Sequence, residues 1–314
     1  MQIAGENAGH VIVLLREEQI AAEFAAAFAG GFLDEKFFYW LPPSVRAWCD
    51  LCNSPEYRNA NRALRLLERE AAAITGIAGE VRTICGVGCG EGSKDEILLR
   101  GFSNPRRYLA ADFSQSLLEL ALARCAPLVH TALGVKLDVA NDAHLAALDD
   151  LGGAGHRLFA VLGNTLGAFG PQTFPQRLHR TMRPGDSALF DGEIFAGEET
   201  LRGYDHPDNR RFAFAPLAGL GLEEGRDGAL RFELRSREDG LHEVVKYFEP
   251  ARDVEIAFAG QKLQLSKGRR LRMSSSIKYD EATFFKLVQA QGLELVHSAR
   301  SEDSKFLLAL VGRN

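Results

Sequence analysis

Between residues 81 and 193, short apolar runs alternate with stretches in which apolar residues recur at helical spacing. The short runs predict β-strands, and the amphipathic stretches predict helices. A strand–helix alternation of this period is typical of a parallel, doubly wound sheet that carries helices on both faces. The predicted fold class is therefore α/β, with a Rossmann-like sheet.

The alternation stops near residue 196. The runs that follow predict successive antiparallel strands joined by tight turns, and helix and strand patterns then return at 281–311. This order indicates a second, α+β domain that is inserted ahead of the last elements of the sheet. We expect a sheet domain of residues 60–195 and 281–314, and an inserted substrate-binding lid domain of residues 10–59 and 196–280.

Composition excludes several classes of protein. The chain has 314 residues, 46% hydrophobic and 25% charged, as in ordinary globular proteins. A net charge of −5 argues against a large nucleic-acid surface. Neither a membrane span nor a signal peptide is predicted. The five cysteines, an odd number, indicate a reducing compartment. We therefore expect a cytoplasmic protein without nucleic-acid or membrane partners. The scattered histidines give no metal-ligand spacing, so no metal is expected. Composition does not fix the oligomeric state, and a monomer and a homodimer both stay open.

The segment GVGCGEGSK at 86–94 carries the first sign of chemistry. It lies between a predicted strand and a predicted helix, and Gly86, Gly88 and Gly90 fall within it. A bare backbone at a helix N-terminus lets a nucleotide approach closely and favours negative charge. This pattern alone fits NAD, FAD or S-adenosylmethionine (SAM).

Three further features favour SAM. Asp112 ends the next predicted strand, where an acid can bond a ribose hydroxyl pair. Asp138 ends the third strand, near the expected adenine, and NAD enzymes do not usually need that acid. The helix and strand hairpin at 281–311 close the methyltransferase version of this sheet. A nicotinamide oxidoreductase remains the alternative, with no role for Asp138.

Over roughly residues 36–311 the chain resembles the histidine-specific SAM-dependent methyltransferases. The matching segments, in order, are SPEYRNANRALRLL, GVGCGEGSK, LAADFS, VLGNTLGAF, RPGDSALFDGEIF, LRGYDH, RFELRSR and MSSSIKYDEATF. No single segment is unique, but their shared order and spacing are specific. The resemblance implies a class I SAM methyltransferase fold, SAM as cofactor with S-adenosylhomocysteine as product, and N-methylation of a small-molecule amine.

The resemblance also implies site residues, to which we add strand-end neighbours and one aromatic residue of the second domain, Trp48. The predicted cofactor residues are Tyr39, Gly88, Gly90, Lys94, Asp112, Phe113, Asp138 and Val139. The predicted substrate residues are Trp48, Tyr57, Asn164, Ala168, Tyr204, Leu234, Ser274 and Ser276. Tyr57 and Tyr204 are the candidate catalytic residues, because their phenols can orient an attacking nitrogen.

Departures from the family pattern concern the substrate. The family's glutamate that holds the imidazole ring falls at Ser274, and its asparagine that holds the amino-acid end falls at Ala168. Losing buried hydrogen-bonding groups from a specific site costs discrimination. We therefore expect a small amino acid or amine other than histidine, used in specialised biosynthesis, with Asn164 taking part of the polar role. The acid that commonly precedes the first glycine of the loop is also absent. We therefore expect Asp112 to carry more of the cofactor anchoring, unless Lys94 and the loop amides assist.

Three other interpretations stay open. Histidine can remain the substrate if the pocket is repacked. A cationic, arginine-like substrate would suit the acids of the predicted strand ends and lid, which are Asp191, Glu193, Asp205 and Glu233. The chain can also bind SAM without transferring a methyl group. Turnover of histidine, turnover of a cationic amine, or cofactor binding without turnover would distinguish these three.

Overall fold

The computed structural model describes residues 10–102, 107–289 and 292–313. Its contacts divide the chain into two compact units. The first comprises the chain up to Leu14, Asn59–Ile194 and the chain from Glu281, and the second comprises Leu15–Arg58 and Phe195–Asp280. Within the described ranges, no helix combines the length and the apolar character that crossing a bilayer requires.

The described strands are β1 (His10–Val13), β2 (Phe32–Leu33), β3 (Thr83–Val87), β4 (Arg107–Asp112), β5 (Thr131–Lys136), β6 (Arg157–Val161), β7 (Ser187–Glu193), β8 (Gly228–Ser236), β9 (Leu241–Pro250), β10 (Val254–Phe258), β11 (Gln261–Leu265), β12 (Leu271–Tyr279), β13 (Leu293–Arg300) and β14 (Phe306–Arg313). The described helices are α1 (Glu17–Gly30), α2 (Pro42–Asn53), α3 (Arg58–Ala78), α4 (Ser93–Gly101), α5 (Gln115–Cys125), α6 (Asp142–Leu151), α7 (Thr165–Ala168), α8 (Phe174–Thr181), α9 (Glu198–Tyr204), α10 (Pro207–Ala218) and α11 (Glu281–Val288), with 3-10 turns at Glu35–Tyr39 and Ala126–Leu128.

One sheet organises the first unit. Its strand order is β1-β5-β4-β3-β6-β7-β14-β13. The six neighbouring strands β1-β5-β4-β3-β6-β7 run parallel to one another. β14 runs antiparallel to β7, and β13 runs antiparallel to β14. The antiparallel pair is the closing hairpin that the sequence predicts, and the Rossmann-like α/β fold class is confirmed.

The sequence dictates this sheet through its apolar strands. Every residue of β3, β6 and β7 is buried, as parallel strands covered by helices on both faces require. The chain direction of the crossovers reverses between β3 and β6, which are neighbours in the sheet. Ligands of such sheets bind beyond the carboxyl ends of the strands at this switch point, so the loops after β3 and β6 are the first place to look for a site.

The N-terminal strand corrects one predicted boundary. β1 pairs in parallel with β5, with His10 opposite Leu133. The predicted inserted domain begins at residue 10. In the structure, however, the four residues of β1 extend the sheet of the first unit. The partner strand lies more than a hundred residues away, and such non-local pairing leaves no mark on the local pattern.

The second unit contains a smaller sheet of order β2-β12-β9-β8 and a separate hairpin of β10 and β11. Residues 261–279 form two strands separated by a turn. β11 ends at Leu265, Gly268 turns the chain with a φ of 79°, and β12 begins at Leu271 and pairs with β9. The predicted order of successive hairpins is therefore interrupted, because β12 returns to the earlier strand.

A β-bulge interrupts the pairing of β12 with β9. Arg272 pairs with Tyr247 and Ser275 pairs with Val245, so that Met273 and Ser274 both lie opposite a single residue of β9. Ser274 has a φ of 65°, which is uncommon for a residue with a side chain. Bulges of this kind re-aim a side chain, and here the re-aimed residue is a predicted substrate residue.

Candidate active site

The loop after β3 has a backbone that glycine adopts readily and other residues do not. Gly88, Gly90 and Gly92 have φ values of 69°, 57° and 85°, in the left-handed region. A Cβ on Gly88 would lie 3.0 Å from Thr165 Cγ2, and one on Gly92 would lie 2.9 Å from the Cα of Ala121. The loop therefore presents bare backbone at the N-terminus of α4, where amide groups favour an anionic ligand.

Asp112, at the end of β4, closes this loop from the neighbouring strand. The Gly90 amide donates to its Oδ2 over 2.9 Å, and the Ser114 amide donates to its Oδ1 over 2.9 Å. Burial raises the pKa of Asp112, while the amides of Ser114 and Gly90 oppose the rise. Each carboxylate oxygen has a second lone pair, so the group has acceptor capacity for a hydroxyl while it holds the loop.

Asp138 lies just after the carboxyl end of β5, in a position similar to that of Asp112 at the end of β4. Its Oδ1 accepts the Ala140 amide over 2.7 Å, and its own amide donates to His144 Nδ1 over 3.1 Å. The adjacent Val139 and the residue after Asp112, Phe113, are buried. The first unit therefore brings seven predicted cofactor residues to the carboxyl edge of three adjacent strands, β3, β4 and β5.

The loop after β6 is held by a carboxylate from β7. Asp191 accepts the Gly163 amide at Oδ2 over 2.7 Å and the Asn164 amide at Oδ1 over 2.6 Å. This contact holds Asn164 at a φ of 58°. Burial raises the pKa of Asp191 to about 6, against the charge of Lys94 and the two amides. A Cβ on Gly163 would lie 3.3 Å from Lys94 Nζ, so this lysine also projects toward the loop.

Ala168 ends the short helix α7 that follows Asn164. Its methyl group neither donates nor accepts a hydrogen bond. The Asn164 side-chain oxygen accepts the Glu193 amide over 3.4 Å, and the Glu193 carboxylate accepts Asn59 Nδ2 over 2.6 Å. The polar groups at the ends of β6 and β7 are therefore bonded to one another.

An aromatic cluster of Tyr39, Trp48, Tyr57 and Phe212 lies in the second unit. The ring centroid of Trp48 is 5.2 Å from that of Tyr39, 6.1 Å from that of Tyr57 and 5.2 Å from that of Phe212. Burial raises the pKa of the Tyr39 phenol well above its ordinary value, and the nearby Glu35 carboxylate raises it further. Tyr39, a predicted cofactor residue, is thus packed with predicted substrate residues, and its phenol is a hydrogen-bond donor at neutral pH.

A buried carboxylate connects this aromatic cluster to Ser274. In what we name the Glu35 cluster (Glu35, Tyr39, Lys246 and Ser274), the Ser274 hydroxyl donates to Glu35 Oε2. The Tyr39 hydroxyl donates to Oε1 over 3.3 Å, and Lys246 Nζ lies 3.1 Å from Oε2 and 3.5 Å from Oε1. Glu35 is 9% exposed and Lys246 is 3% exposed, so both charges are largely removed from water.

The sheet of the second unit gathers the other predicted substrate residues. Leu234 pairs with Val244, and Val244 pairs with Ser276. Directly paired residues point to the same face of a sheet, so Leu234 and Ser276 share one face. Lys278 Nζ donates to Ser276 Oγ over 2.8 Å and lies 5.0 Å from the ring centroid of Tyr204. Tyr204 is therefore connected to this face as well.

The remaining acids proposed for a cationic substrate are already paired. Asp205 bonds Arg210, and Glu233 bonds Arg270. Both arginine pairs are partly exposed and lie within the second unit.

Three residues that bond predicted site residues were not themselves predicted from the sequence. They are Glu35, Lys246 and Lys278. A lysine among apolar strand residues is the available signal for Lys246, because buried lysine is rare unless it has a partner. Lys278 follows a serine-rich stretch and offers no such signal. Glu35 offers no such signal, since an acid before an aromatic run is common at a surface. Its role depends on strands that are more than two hundred residues away.

Comparison with known proteins agrees with these features. A sequence profile described as "Histidine-specific methyltransferase, SAM-dependent" matches residues 18–313. The chain is 24% identical over 289 residues to the N-methyltransferase fsqC of Aspergillus fumigatus, across 84% of this chain and 77% of that protein. It is 23% identical over 290 residues to the N-methyltransferase dtpB of Aspergillus flavus, across 82% and 78%.

A solved structure is similar to this chain as well. The S-adenosylhomocysteine-bound magnesium protoporphyrin IX methyltransferase ChlM of Synechocystis PCC 6803 superposes with a TM-score of 0.48 and 10% identity, across 88% of this chain and 96% of that one. The predicted family, enzyme class and cofactor are confirmed by the profile, which spans nearly the whole sequence. The chain belongs to the histidine-specific SAM-dependent methyltransferase family and is a SAM-dependent methyltransferase.

Proposed function

We propose that this enzyme transfers a methyl group from SAM to the nitrogen of a small amino acid or amine other than histidine. The observation that carries the proposal is the pair of replacements at Ser274 and Ala168. A serine and an alanine stand where the family has the glutamate and the asparagine that bind histidine. In the structure the Ser274 hydroxyl is already bonded to Glu35, which leaves it little capacity to replace the missing carboxylate.

The cofactor site that we propose lies beyond β3, β4 and β5. SAM has a ribose, an adenine and an amino-acid end, and the residues fit these groups chemically. The backbone of Gly88 and Gly90 carries no side chain that would keep a ligand away. In this proposal Asp112 offers carboxylate oxygens to the ribose hydroxyls, and Asp138 contacts the adenine. Phe113 and Val139 supply apolar surface, and Lys94 supplies a positive charge for the carboxylate of the amino-acid end. Tyr39 stays a proposed cofactor residue on the resemblance alone.

Methyl transfer of this kind depends mainly on position. When bound, SAM supplies a methyl group on a positively charged sulfur. The chain must present an uncharged nitrogen at close range and in line, and must exclude water. Since no leaving group has to be protonated, no residue is needed as an acid. An ordinary amine is protonated at neutral pH, so one proton must first pass to water or to a nearby side chain.

Tyr57 and Tyr204 are the groups that we propose to orient the amine. Each carries a phenol that can accept a hydrogen bond from an N–H group and donate one to a carboxylate. Tyr57 packs against Trp48, and the Tyr204 ring faces the Lys278 ammonium. These contacts restrict the two rings, which is what a positioning role requires.

Histidine with a repacked pocket is the second candidate, and one observation favours it. The Glu35 carboxylate lies beside Ser274, so a carboxylate is present near the position where the family has its own. If this carboxylate were open to a ligand, it would replace the missing glutamate.

The experiment that tests the proposal is a methyl-transfer screen. Purified enzyme and SAM are incubated with each of the twenty amino acids and with common amines, and S-adenosylhomocysteine release and product mass are measured. We expect turnover of a non-histidine amine, with one added methyl mass or a multiple of it. The Asp112→Asn variant is the matched control, because a genuine product disappears when cofactor binding is weakened.

The opposite results are equally informative. A higher kcat/KM for histidine than for every other amine would reject the proposal in favour of the repacked pocket. Tight SAM binding without any turnover, across elaborated as well as simple amines, would indicate a SAM-binding protein that does not transfer methyl groups.

A further inference from the structure

We infer that the Lys246 ammonium lies where a cationic group of a ligand would otherwise bind the Glu35 carboxylate. The substrate therefore presents an uncharged side chain to the Glu35 cluster. This inference rests on the proposed function and narrows it to one class of amine. It also decides between the two candidates above, because histidine recognition would need a carboxylate that is open to the imidazole ring.

The hydrogen-bonding capacity of Glu35 is taken by its own protein. A carboxylate has two oxygens with about four acceptor positions. Oε2 accepts hydrogen bonds from Ser274 and Lys246. Oε1 accepts hydrogen bonds from Tyr39 and Lys246. These donors come from three separate segments of the second unit: the 3-10 turn at Glu35–Tyr39, β9 and β12. The carboxylate is therefore enclosed by donors rather than aimed at a ligand.

The charge of Glu35 is balanced as well. The Lys246 ammonium and the Glu35 carboxylate form a buried ion pair with side-chain exposures of 3% and 9%. A second cation on the same carboxylate would lie within a few ångströms of the ammonium, where repulsion is only weakly screened. A protonated imidazole, guanidinium or alkylammonium group is therefore disfavoured at this cluster, whereas a neutral group carries no such penalty.

Lys246 also takes the aromatic contacts that would attract a cationic ligand. Its Nζ lies 4.7 Å from the ring centroid of Phe38 and 5.9 Å from that of Phe212. Rings at these distances are what an aromatic cage offers to an ammonium group. Phe212 is shared with the aromatic cluster, since its ring is 5.2 Å from that of Trp48. The surface next to the ion pair is thus aromatic and neutral, which fits an apolar or aromatic side chain.

The bulge in β12 explains how this arrangement is built. It brings Ser274 opposite Lys246, and the left-handed φ of Ser274 turns its hydroxyl to the same carboxylate. Because both residues of the bulge lie opposite Lys246, the Ser274 hydroxyl and the Lys246 ammonium can converge on one acceptor.

The test removes the internal cation and offers an external one. Lys246→Ala leaves Glu35 without its charge partner and opens space that n-propylammonium fits. Thermal unfolding is followed with S-adenosylhomocysteine present, for the wild type, Lys246→Ala and the Glu35→Gln, Lys246→Ala double variant. We expect n-propylammonium at a hundred times its Kd to raise the Tm of Lys246→Ala by about 5 °C. The wild type and the double variant should not respond, and neutral n-propanol should act on none of them.

The inference is overturned if Lys246→Ala melts at the same temperature with and without the amine, or if the double variant responds equally. Should Lys246→Ala not fold, a second measurement uses the unmodified enzyme. Calorimetry with bound S-adenosylhomocysteine compares arginine, lysine and histidine with phenylalanine and leucine. We expect at least ten-fold tighter binding of a neutral amino acid, and a cationic one that binds more tightly and loses its affinity in Glu35→Gln would reject the inference.

These outcomes are separable from the proposed function. The Tm response to n-propylammonium needs no methyl transfer, so a positive response in an enzyme without turnover rejects only the proposed activity. Turnover of a non-histidine amine together with an unresponsive Lys246→Ala rejects only the role of Lys246.

Discussion

The carboxylate of Asp95 lies in the space that a side chain on Gly86 would need. A Cβ on Gly86 would be 2.0 Å from Asp95 Oδ2. The resemblance of GVGCG to the family's E-L-G-S-G loop implies that Gly86 takes the position of the acid. The first turn of α4 thus supplies a carboxylate beneath the loop that β3 itself lacks, and the Tyr108 hydroxyl donates to it over 2.6 Å.

This relationship predicts strong coupling between the two positions. Gly86→Ala should destabilise the fold by about 1–3 kcal/mol through overpacking, and Asp95→Ala by about 1–3 kcal/mol because Tyr108 loses its acceptor. The double variant should be more stable than the sum of the two losses implies, since the methyl group enters the emptied space. Urea unfolding of the four proteins measures the cycle. Gly76→Ala is the control, because its Cβ meets nothing within 4 Å and it should not destabilise; strict additivity would contradict the coupling.

Asp95 should also make stability depend on pH. Burial raises the pKa of Asp95 to about 7, which hydrogen bonding to Tyr108 and the charge of Lys94 oppose. The native state therefore keeps this proton where the unfolded state, with a lower pKa, has lost it. Stability from this group is present at low pH and decreases as pH rises from about 4 to about 7.

The variant Asp95→Asn removes that dependence. Relative to the wild type, its free energy of unfolding should rise by on the order of 2 kcal/mol between pH 5 and pH 8. Denaturant unfolding at the two pH values gives the difference. A stability gap between the variant and the wild type that is the same at both pH values would show that Asp95 is ionised throughout.

Asp112→Asn tests the proposed cofactor site. One carboxylate oxygen becomes an NH2 group, so either the Gly90 or the Ser114 amide loses its acceptor, and a ribose hydroxyl would lose a charge-assisted bond. We expect the Kd for S-adenosylhomocysteine to rise by about ten- to a hundred-fold, which corresponds to ~1.5–3 kcal/mol. Calorimetry measures this Kd. Asp142→Asn is the control, because the Asp142 carboxylate, at the start of α6, is exposed and pairs with Arg177. An unchanged Kd in Asp112→Asn would remove Asp112 from the site.

Restoring the family's glutamate at Ser274 should fail unless Glu35 is changed as well. Ser274→Glu would bring a second carboxylate against Glu35 at a residue with a φ of 65°. We expect a loss of about 2 kcal/mol or more in Ser274→Glu, partly regained when Glu35→Gln is added, as measured by denaturant unfolding. Ser266→Glu, on an exposed turn, is the matched control.

Histidine binding provides the second readout for these variants. With Ala168→Asn added to Ser274→Glu and Glu35→Gln, the affinity for histidine should rise by at least ten-fold, because two lost hydrogen-bonding groups return. Equal histidine affinity in the wild type and the triple variant would show that these positions do not set the preference.

The sequence predicted the sheet well because its signals are local. The apolar runs around Ile84 and Leu109 and the strand-end acids Asp112 and Asp138 are written in consecutive residues. Parallel strands buried on both faces give such runs, and an acid at a strand end is visible in the same window. The fold class and the family followed from these segments, whereas the roles of the individual residues remain to be measured.

The clusters of the second unit were harder to predict, for a physical reason. Glu35, Lys246 and Ser274 converge only when three distant segments pack together. The bulge at Ser274 depends on how β12 pairs with β9, and nothing in MSSSIKY indicates an extra residue. Gly86 and Asp95 are only nine positions apart, yet their approach also needs the turn of α4 against β3. The sequence indicated which residues form strands. It did not indicate which segments those strands pair with.

The extra residue in β12 has a consequence for how this enzyme can change over generations. Arg272 pairs with Tyr247 and Ser275 with Val245, so loss of one codon at Met273 or Ser274 would leave regular pairing on both sides of the bulge. Ser276 and Lys278 would keep Val244 and His242 as partners, and with them the side of the sheet that they face. Loss of Ser274 would remove the hydroxyl that donates to Glu35. A single-codon deletion can therefore alter the Glu35 cluster by inheritance while it spares the neighbouring face.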